Sequence, residues 1–266
     1  MSNTEFAGKV ALVAGGSLGI GRGAAIRLAA GGAQVVVGAR RIDAVNEVVN
    51  EIKAEGGNAI GVAADLSKGE DAERFVQAAV DAFGGVDILV NSQGIQRYGN
   101  VEETTEALWD EVMNVNLKSM FLTSHYAIPE MKKRGGGSIV NVASVQGLAT
   151  QTTVAAYSTS KAAIIGFTRT IAVDYAKLKI RANVVLPASI DTPMLREAAD
   201  LFRGEHSNDS LISDWGKMHP LGRVGTAAEV AELIAFLASD RASFITGSEY
   251  KIDGGMMAAL GVVLPD

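Results

Sequence analysis

Short apolar runs and amphipathic stretches alternate along this chain, and paired glycines separate them. Val10-Ala11-Leu12-Val13-Ala14 is apolar without interruption, and so is Val35-Val36-Val37. Runs of that length without polar alternation predict strands buried on both faces. Ala59 to Ala64, Val86 to Asn91, Ser138 to Ala143 and Ile180 to Leu186 repeat the pattern. Between these runs the apolar residues recur at helical spacing. Val45, Val48, Val49 and Ile52 precede Gly56-Gly57, while Phe75, Val76, Ala79 and Val80 precede Gly84-Gly85. The segment from Ile20 to Ala30 stops at Gly31-Gly32 in the same way. A long helical region runs past Trp109 and Met120 towards Gly135-Gly136-Gly137. Thr226-Ala227-Ala228-Glu229 is a capping box that opens a helix to Ala238. Strands alternating with helices predict an α/β fold with a doubly wound parallel sheet of about seven strands and helices on both faces. No repeat, linker or second core interrupts the pattern, so residues 1–266 read as one domain.

Composition narrows the chemistry. The chain has 266 residues, 48% of them hydrophobic, enough for a large single core. It contains no cysteine, which removes disulfides, thiolate metal sites and a cysteine nucleophile together. His125, His206 and His219 show no metal-ligand spacing, so no metal is expected, and structural or solvent-facing roles suit them better. A net charge of −6 without a basic run argues against a nucleic-acid surface. No apolar run is long enough to span a bilayer, and the N-terminus lacks a charged-then-apolar signal pattern. The expected setting is cytoplasmic, with no membrane partner.

In such sheets, ligands sit beyond the carboxyl ends of the strands. Arg40, Asp65, Ser144 and Pro187 follow the second, third, fifth and sixth runs, and Asn91 ends the fourth. The loop Gly15-Gly16-Ser17-Leu18-Gly19-Ile20-Gly21 joins the first strand to a helix N-terminus. That junction presents backbone N–H groups and a positive dipole end to a phosphate. Tyr157 and Lys161 stand four apart on one helix face. A nearby cation favours a phenolate, so Lys161 is expected to lower the pKa of Tyr157 towards the range useful for proton exchange. Ser144 is placed to hydrogen-bond the same substrate oxygen. The set suits hydride transfer at a carbinol or carbonyl carbon.

These motifs together resemble the short-chain dehydrogenase/reductase family in its single-domain form, over nearly the whole chain. Gly15, Gly19 and Gly21 match its glycine motif, with Ala14 where Thr is usual. Asn91-Ser92-Gln93-Gly94 partly matches its Asn-Asn-Ala-Gly motif. Asn116, Ser144, Tyr157 and Lys161 match its catalytic residues, and Pro187-Ala188 with Ile190-Asp191-Thr192-Pro193 its Pro-Gly segment. The resemblance implies a Rossmann-like fold, an NAD(P)-dependent oxidoreductase of a small-molecule alcohol or carbonyl compound, and a homotetramer. It implies that Asp65 and Leu66 face the adenine, Asn91 supports the ribose side, and Thr192 meets the nicotinamide carboxamide. Ser17, Leu18, Ile20, Gly94, Pro187, Ile190, Tyr157 and Lys161 complete the implied cofactor contacts. Asn116 is expected to hold a water in a proton relay through Lys161. Epimerases and dehydratases of the wider family carry a larger C-terminal part, and enoyl reductases space Tyr and Lys more widely. The complete catalytic set argues against a non-catalytic nucleotide-binding protein.

Two specificities follow. NAD-selective relatives place an Asp after the second strand, whereas this chain has Ala39, Arg40 and Arg41. A guanidinium suits a 2′-phosphate, so NADP is the expected cofactor, with NAD also open to it. Residues 193–225 read as a substrate lid. Of six glutamines, Gln93, Gln96, Gln146 and Gln151 fall just after the fourth and fifth strands. Their amides, Gln93, Gln146 and Gln151 above all, suit a substrate with several hydroxyls. Arg97, Arg196 and Arg203 were candidates for an anionic group on it. The expected substrate is a sugar or related polyhydroxy compound, acidic or not, with a 3-oxoacyl thioester or other apolar ketone as the alternative. Met256-Met257-Ala258-Ala259-Leu260 and the apolar tail to Leu264 are expected to pack at a subunit interface.

Overall fold

The computed structural model describes residues 4–260. The elements follow in order: β1 (Val10–Ala14), α1 (Gly19–Ala30), β2 (Gln34–Ala39), α2 (Ile42–Ala54), β3 (Asn58–Ala63), α3 (Gly69–Phe83), β4 (Ile88–Asn91), α4 (Glu106–Met113), α5 (Ser119–Lys133), β5 (Gly137–Val142), α6 (Ala155–Tyr175) and β6 (Ile180–Pro187). Then come β7 (Ile190–Asp191), α7 (Pro193–Phe202), α8 (Asn208–Gly216), β8 (Gly225–Thr226), α9 (Ala227–Ala238) and β9 (Glu249–Ile252). Seven strands form one sheet in the order β3-β2-β1-β4-β5-β6-β9. Every pairing in it is parallel. The strand order reverses between β1 and β4, and that reversal opens a crevice at their carboxyl ends.

The apolar runs form strands because both faces of the sheet are covered. All five residues of β1 are buried. Leu28, Val45, Val48, Ile52 and Ile234 pack on one face, and Phe75, Val76, Met131 and Ile171 on the other. Each such side chain contributes about 1.5–3 kcal/mol by leaving water. The edge strand β9 escaped the run pattern because Glu-Tyr-Lys-Ile alternates and stays partly exposed. The capping box at α9 forms as expected, with Thr226 Oγ1 and the Glu229 side chain exchanging bonds with each other's backbone.

Three features differ from the sequence reading or refine it. The long helical region is interrupted by a π-turn at Asn114–Lys118 between α4 and α5. Within residues 193–225 the chain forms two helices, α7 and α8, which pack on each other. The parallel pair β7 and β8 clamps the two ends of that excursion, with Ile190 opposite Gly225 and Asp191 opposite Thr226. Met256 and Met257 are partly buried and pack against the cluster of Met120, Ile164 and Leu186, while Ala258, Ala259 and Leu260 are exposed. The tail from 261 to Leu264 lies outside the described residues.

Gly21 lies buried in α1 where a Cβ would sit 2.2 Å from the Gly15 carbonyl oxygen. Gly56 ends the turn after α2 with φ of +80° and open space around it. Gly21→Ala is therefore expected to cost about 3 kcal/mol, since rigid backbone cannot yield. Gly56→Asn, at a left-handed position Asn tolerates, is expected to change stability by less than about 1 kcal/mol. Urea unfolding of both variants checks the contrast.

Candidate active site

A cleft of about 1470 Å³ runs along the carboxyl ends of the strands. At one end it is lined by Gly15, Ser17, Leu18, Gly19, Ile20, Arg40, Arg41, Asp65 and Leu66. At the other it reaches Ser144, Gln146, Gln151, Tyr157 and the inner faces of α7 and α8. Gly94, Pro187, Ile190 and Thr192 line it as well, as does Lys161.

The glycine loop is shaped by close backbone approach. Gly15 takes φ of +73°, and a Cβ there would lie 2.6 Å from Gln93 N. Its N–H and that of Gly16 donate to the Gly38 carbonyl at 2.8 and 3.2 Å. Gly19, at φ of +52°, faces Thr192, whose Cγ2 would be 3.1 Å from an added Cβ. Leu18 at the N-cap of α1 offers no capping oxygen, and no acidic residue occupies the first turn. The leading N–H groups of α1 are thus left for an anion. The residues fit a dinucleotide: the N-terminus of α1 would hold its phosphates, and Asp65 and Leu66 would line its adenine side.

The reacting groups lie where the cleft is deepest. Tyr157, Lys161 and Ser144 are 6%, 5% and 7% exposed. Tyr157 and Lys161 share one face of α6, and the Lys161 Nζ lies 5.5 Å from the phenol ring centroid. Nζ donates to the Val142 carbonyl at 3.1 Å. Ser144, at the end of β5, accepts the Gln146 N–H at 3.1 Å. Burial pushes the Tyr157 phenol up to about 12, opposed by hydrogen bonding with Ser144 and reinforced by Tyr98. Burial also draws the Lys161 ammonium down to about 8. This corrects the expectation that Lys161 lowers Tyr157: burial dominates both groups, and each loses the water that would stabilise its charged form. The pair is set to keep the phenol protonated and the ammonium only loosely charged.

Three expected contact residues make hydrogen bonds within the protein interior. Asn116 is fully buried. Its Oδ1 accepts the Ile95 N–H at 2.8 Å, and its Nδ2 donates to the Ile95 carbonyl and to Ser160 Oγ, both at 3.0 Å. That side chain clamps the segment after β4 to α6. Asn91, also fully buried, donates to Asn141 Oδ1 at 2.9 Å and accepts from Thr123 at 2.7 Å, facing away from the cleft. Gln93 lines the cleft, with its Nε2 donating to Asn91 Oδ1 at 3.4 Å and its Oε1 buried without a partner. Gly21 packs on Gly15 rather than on the cleft.

The substrate end gains one glutamine pair and loses its cations. Gln146 Nε2 donates to Gln151 Oε1 at 3.1 Å in the cleft wall. Arg97 is held by Glu111 through two bonds of 3.0 and 2.8 Å. Arg196 is held twice by Asp191, each at 2.8 Å, and faces Asp209. Arg203 pairs with Asp200 at 3.8 Å. None of these is free for an acidic substrate. Sequence reasoning missed Tyr98, which lines the cleft with its ring 4.7 Å from that of Phe202. No motif marks that position; only its place a few residues after β4 could have drawn attention.

Comparison with known proteins agrees with this geometry. A family profile described as enoyl-(acyl carrier protein) reductase matches residues 14–257. Cyclohexanol dehydrogenase of an Acinetobacter species is 39% identical over 257 residues, covering 96% of each chain. The structure of aldohexose dehydrogenase from Thermoplasma acidophilum superimposes with a TM-score of 0.89 at 36% identity, covering 99% of both chains. L-sorbose reductase from Gluconobacter frateurii, solved with NADPH and L-sorbose, gives 0.92 at 30% identity, over 97% of this chain and 100% of that one. The chain belongs to the short-chain dehydrogenase/reductase family. It is an oxidoreductase that works on an alcohol or carbonyl group with a nicotinamide cofactor.

The buried ammonium makes a pH-dependent prediction. Lys161 titrates near 10.5 when unfolded and near 8 when folded, so below pH 8 both states hold the proton and the full penalty applies. That penalty is on the order of 3 kcal/mol and is relieved as pH rises from 8 to 10.5. Lys161→Met lacks it. The Tm of the variant minus that of the wild type is therefore expected to be highest below pH 8 and to fall steadily towards pH 10, by scanning calorimetry without cofactor.

Proposed function

We propose that this protein is an NADP-linked dehydrogenase/reductase of uncharged cyclic or polyhydroxy alcohols and the corresponding ketones. One observation carries the reading: Tyr157, Ser144 and Lys161 meet, nearly dry, at the deep end of a cleft whose other end is a glycine cradle. When bound, the nicotinamide supplies the hydride acceptor or donor for the carbinol carbon. Tyr157 gives or takes the proton of the substrate oxygen, and Ser144 fixes that oxygen by hydrogen bonding. Lys161 lies beneath the phenol and orients the ribose end of the cofactor, while its charge answers any phenolate that forms. Asn116 positions the Ile95 segment that closes the chamber. Residues 193–225 form the lid of a single-domain enzyme. The homotetramer belongs to the same reading, supported by the exposed Phe121, Val173 and Phe244, and so does a cytoplasmic setting.

Cofactor choice rests on the end of β2. Arg40 and Arg41 are exposed at the adenosine end of the cleft and have no carboxylate partner among the described residues. Ala39 removes the carboxylate that would repel a 2′-phosphate. Arg40→Ala is expected to weaken NADPH binding about tenfold or more and leave NADH nearly unchanged, by fluorescence titration. Equal losses for both cofactors would place Arg40 outside the 2′-phosphate site.

The substrate class is supported by the wall opposite Tyr157. Gln146 and Gln151 supply amide groups, whereas Met194, Phe202, Trp215 and Met256 supply an apolar face. A ring with polar edges and an apolar face matches both. The names of the similar proteins, a cyclohexanol dehydrogenase, an aldohexose dehydrogenase and an L-sorbose reductase, point the same way. The apolar face favours a second reading, reduction of a 3-oxoacyl thioester or other apolar ketone. Enoyl reduction, suggested by the description of the matching profile, has less support, because Tyr157 and Ser144 are placed for a carbonyl oxygen. Steady-state kcat/KM over cycloalkanols, aldohexoses, ketoses and a 3-oxoacyl thioester decides. The expected result is turnover of ring alcohols or sugars, lost by a factor of about 100 or more in Tyr157→Phe with NADPH affinity retained. Activity confined to the thioester would overturn the substrate class, and near-normal turnover by Tyr157→Phe the mechanism.

A further inference from the structure

The chamber around Tyr157 contains a second phenol. Tyr98 stands on the segment that leaves β4, and this segment is fixed at both ends. Asn116 clamps it at Ile95. Gly99 forms a bridge to the start of α6, donating to the Thr153 carbonyl at 2.7 Å and accepting from the Ala155 N–H at 3.2 Å. Tyr98 is therefore held by backbone on either side rather than carried on a free loop. Its ring meets Phe202 edge to face, at 85° and 4.7 Å between centroids. That contact ends α7 against the wall and fixes the plane of the phenol ring.

The hydroxyl itself is not spent. Tyr98 is half-buried in the cleft lining. Burial alone acts on its phenol, without a hydrogen bond to offset it. It lies close enough to Tyr157 for a negative charge on one to oppose a charge on the other. A held donor and acceptor in the chamber lining, with no protein partner among the described residues, is placed to meet an oxygen of the substrate. Arg97, the guanidinium beside it on this segment, is already held by Glu111, and the partner inferred for the phenol is an uncharged oxygen.

We infer that Tyr98 is a specificity-determining residue, whose hydroxyl binds a second oxygen of the substrate while Tyr157 and Ser144 take the reacting one. The preferred substrate then carries two oxygens on one ring, as in a cyclic diol, a hydroxyketone or a sugar. This inference rests on the oxidoreductase reading given above and narrows it. Phe202 supports the ring of Tyr98 without reading the substrate.

The test uses three probes, cyclohexanol, 1,2-cyclohexanediol and 1,4-cyclohexanediol, with the wild type, Tyr98→Phe and Phe202→Leu. The wild type is expected to favour at least one diol over cyclohexanol in kcat/KM. Tyr98→Phe keeps the ring and the contact with Phe202, so its Tm should match the wild type, while the diol-to-monool ratio falls about tenfold. Phe202→Leu should lower kcat/KM on all three probes together and leave that ratio intact. An unchanged ratio in Tyr98→Phe, or an equal loss on every probe, would overturn the assignment. So would loss of the diol preference in Phe202→Leu alone. A wild type that binds NADPH yet turns over none of the three defeats both the ring-alcohol reading and this inference. Retained turnover with an unchanged ratio defeats the inference alone.

Discussion

Buried amide hydrogen bonds hold the reactive end of this protein together. Asn91 and Asn141, side by side on β4 and β5, join at 2.9 Å. Asn141 continues to Thr168 on α6, also at 2.9 Å, and Thr123 on α5 reaches back to Asn91 at 2.7 Å. Two strands and the two helices that bear on the site are thus tied by polar contacts that tolerate only one register. A half-satisfied amide in such a place costs free energy, so each partner enforces the others. Asn116 extends the same logic one layer outward, tying the π-turn to Ile95 and to Ser160 on α6. Tyr157 and Lys161 inherit their positions from this lattice.

Position alone does not make the pair reactive. Dry surroundings raise the phenol to about 12 and lower the ammonium to about 8, so near neutral pH the phenol keeps its proton and the ammonium its charge. A proton lost by Tyr157 leaves a negative charge in a place with little water, and the nearest means of answering it is the ammonium of Lys161. The two shifts share a cause, burial in a medium of low dielectric. Carbonyl reduction uses the state this environment favours, a protonated phenol. Alcohol oxidation must work against it, and for that direction the cation beneath the ring matters most.

Much of this was legible in the sequence because it depends on period and punctuation. Uninterrupted runs such as Val10 to Ala14 become buried parallel strands, and the glycine pairs end helices where backbone must turn. The site's residue types were legible too, since Tyr157, Lys161 and Ser144 come together as their positions after β5 and on α6 imply. What escaped was direction. Whether Asn91 and Asn116 face the cleft or the interior depends on partners in remote segments, and both turn inward. Arg97 likewise finds its carboxylate, Glu111, only once α4 has packed, whereas Arg196 and Arg203 pair with Asp191 and Asp200 close by in the chain. Edge strand β9 and the two-residue ladder of β7 and β8 are too short or too mixed to show a period.

The excursion carrying α7 and α8 leaves and re-enters the fold through one fastened gate, the ladder of β7 and β8. Thr192 at that gate caps α7 and abuts Gly19, so the base of the lid is part of the nucleotide cradle. The far end, where Phe202 meets Tyr98, touches only the substrate chamber. Divergence is therefore cheap at one end and forbidden at the other. A lineage can rewrite the residues around 198–218 to meet new compounds while the gate keeps the cofactor in place. The architecture separates inherited chemistry from acquired taste along a single helix of about three turns.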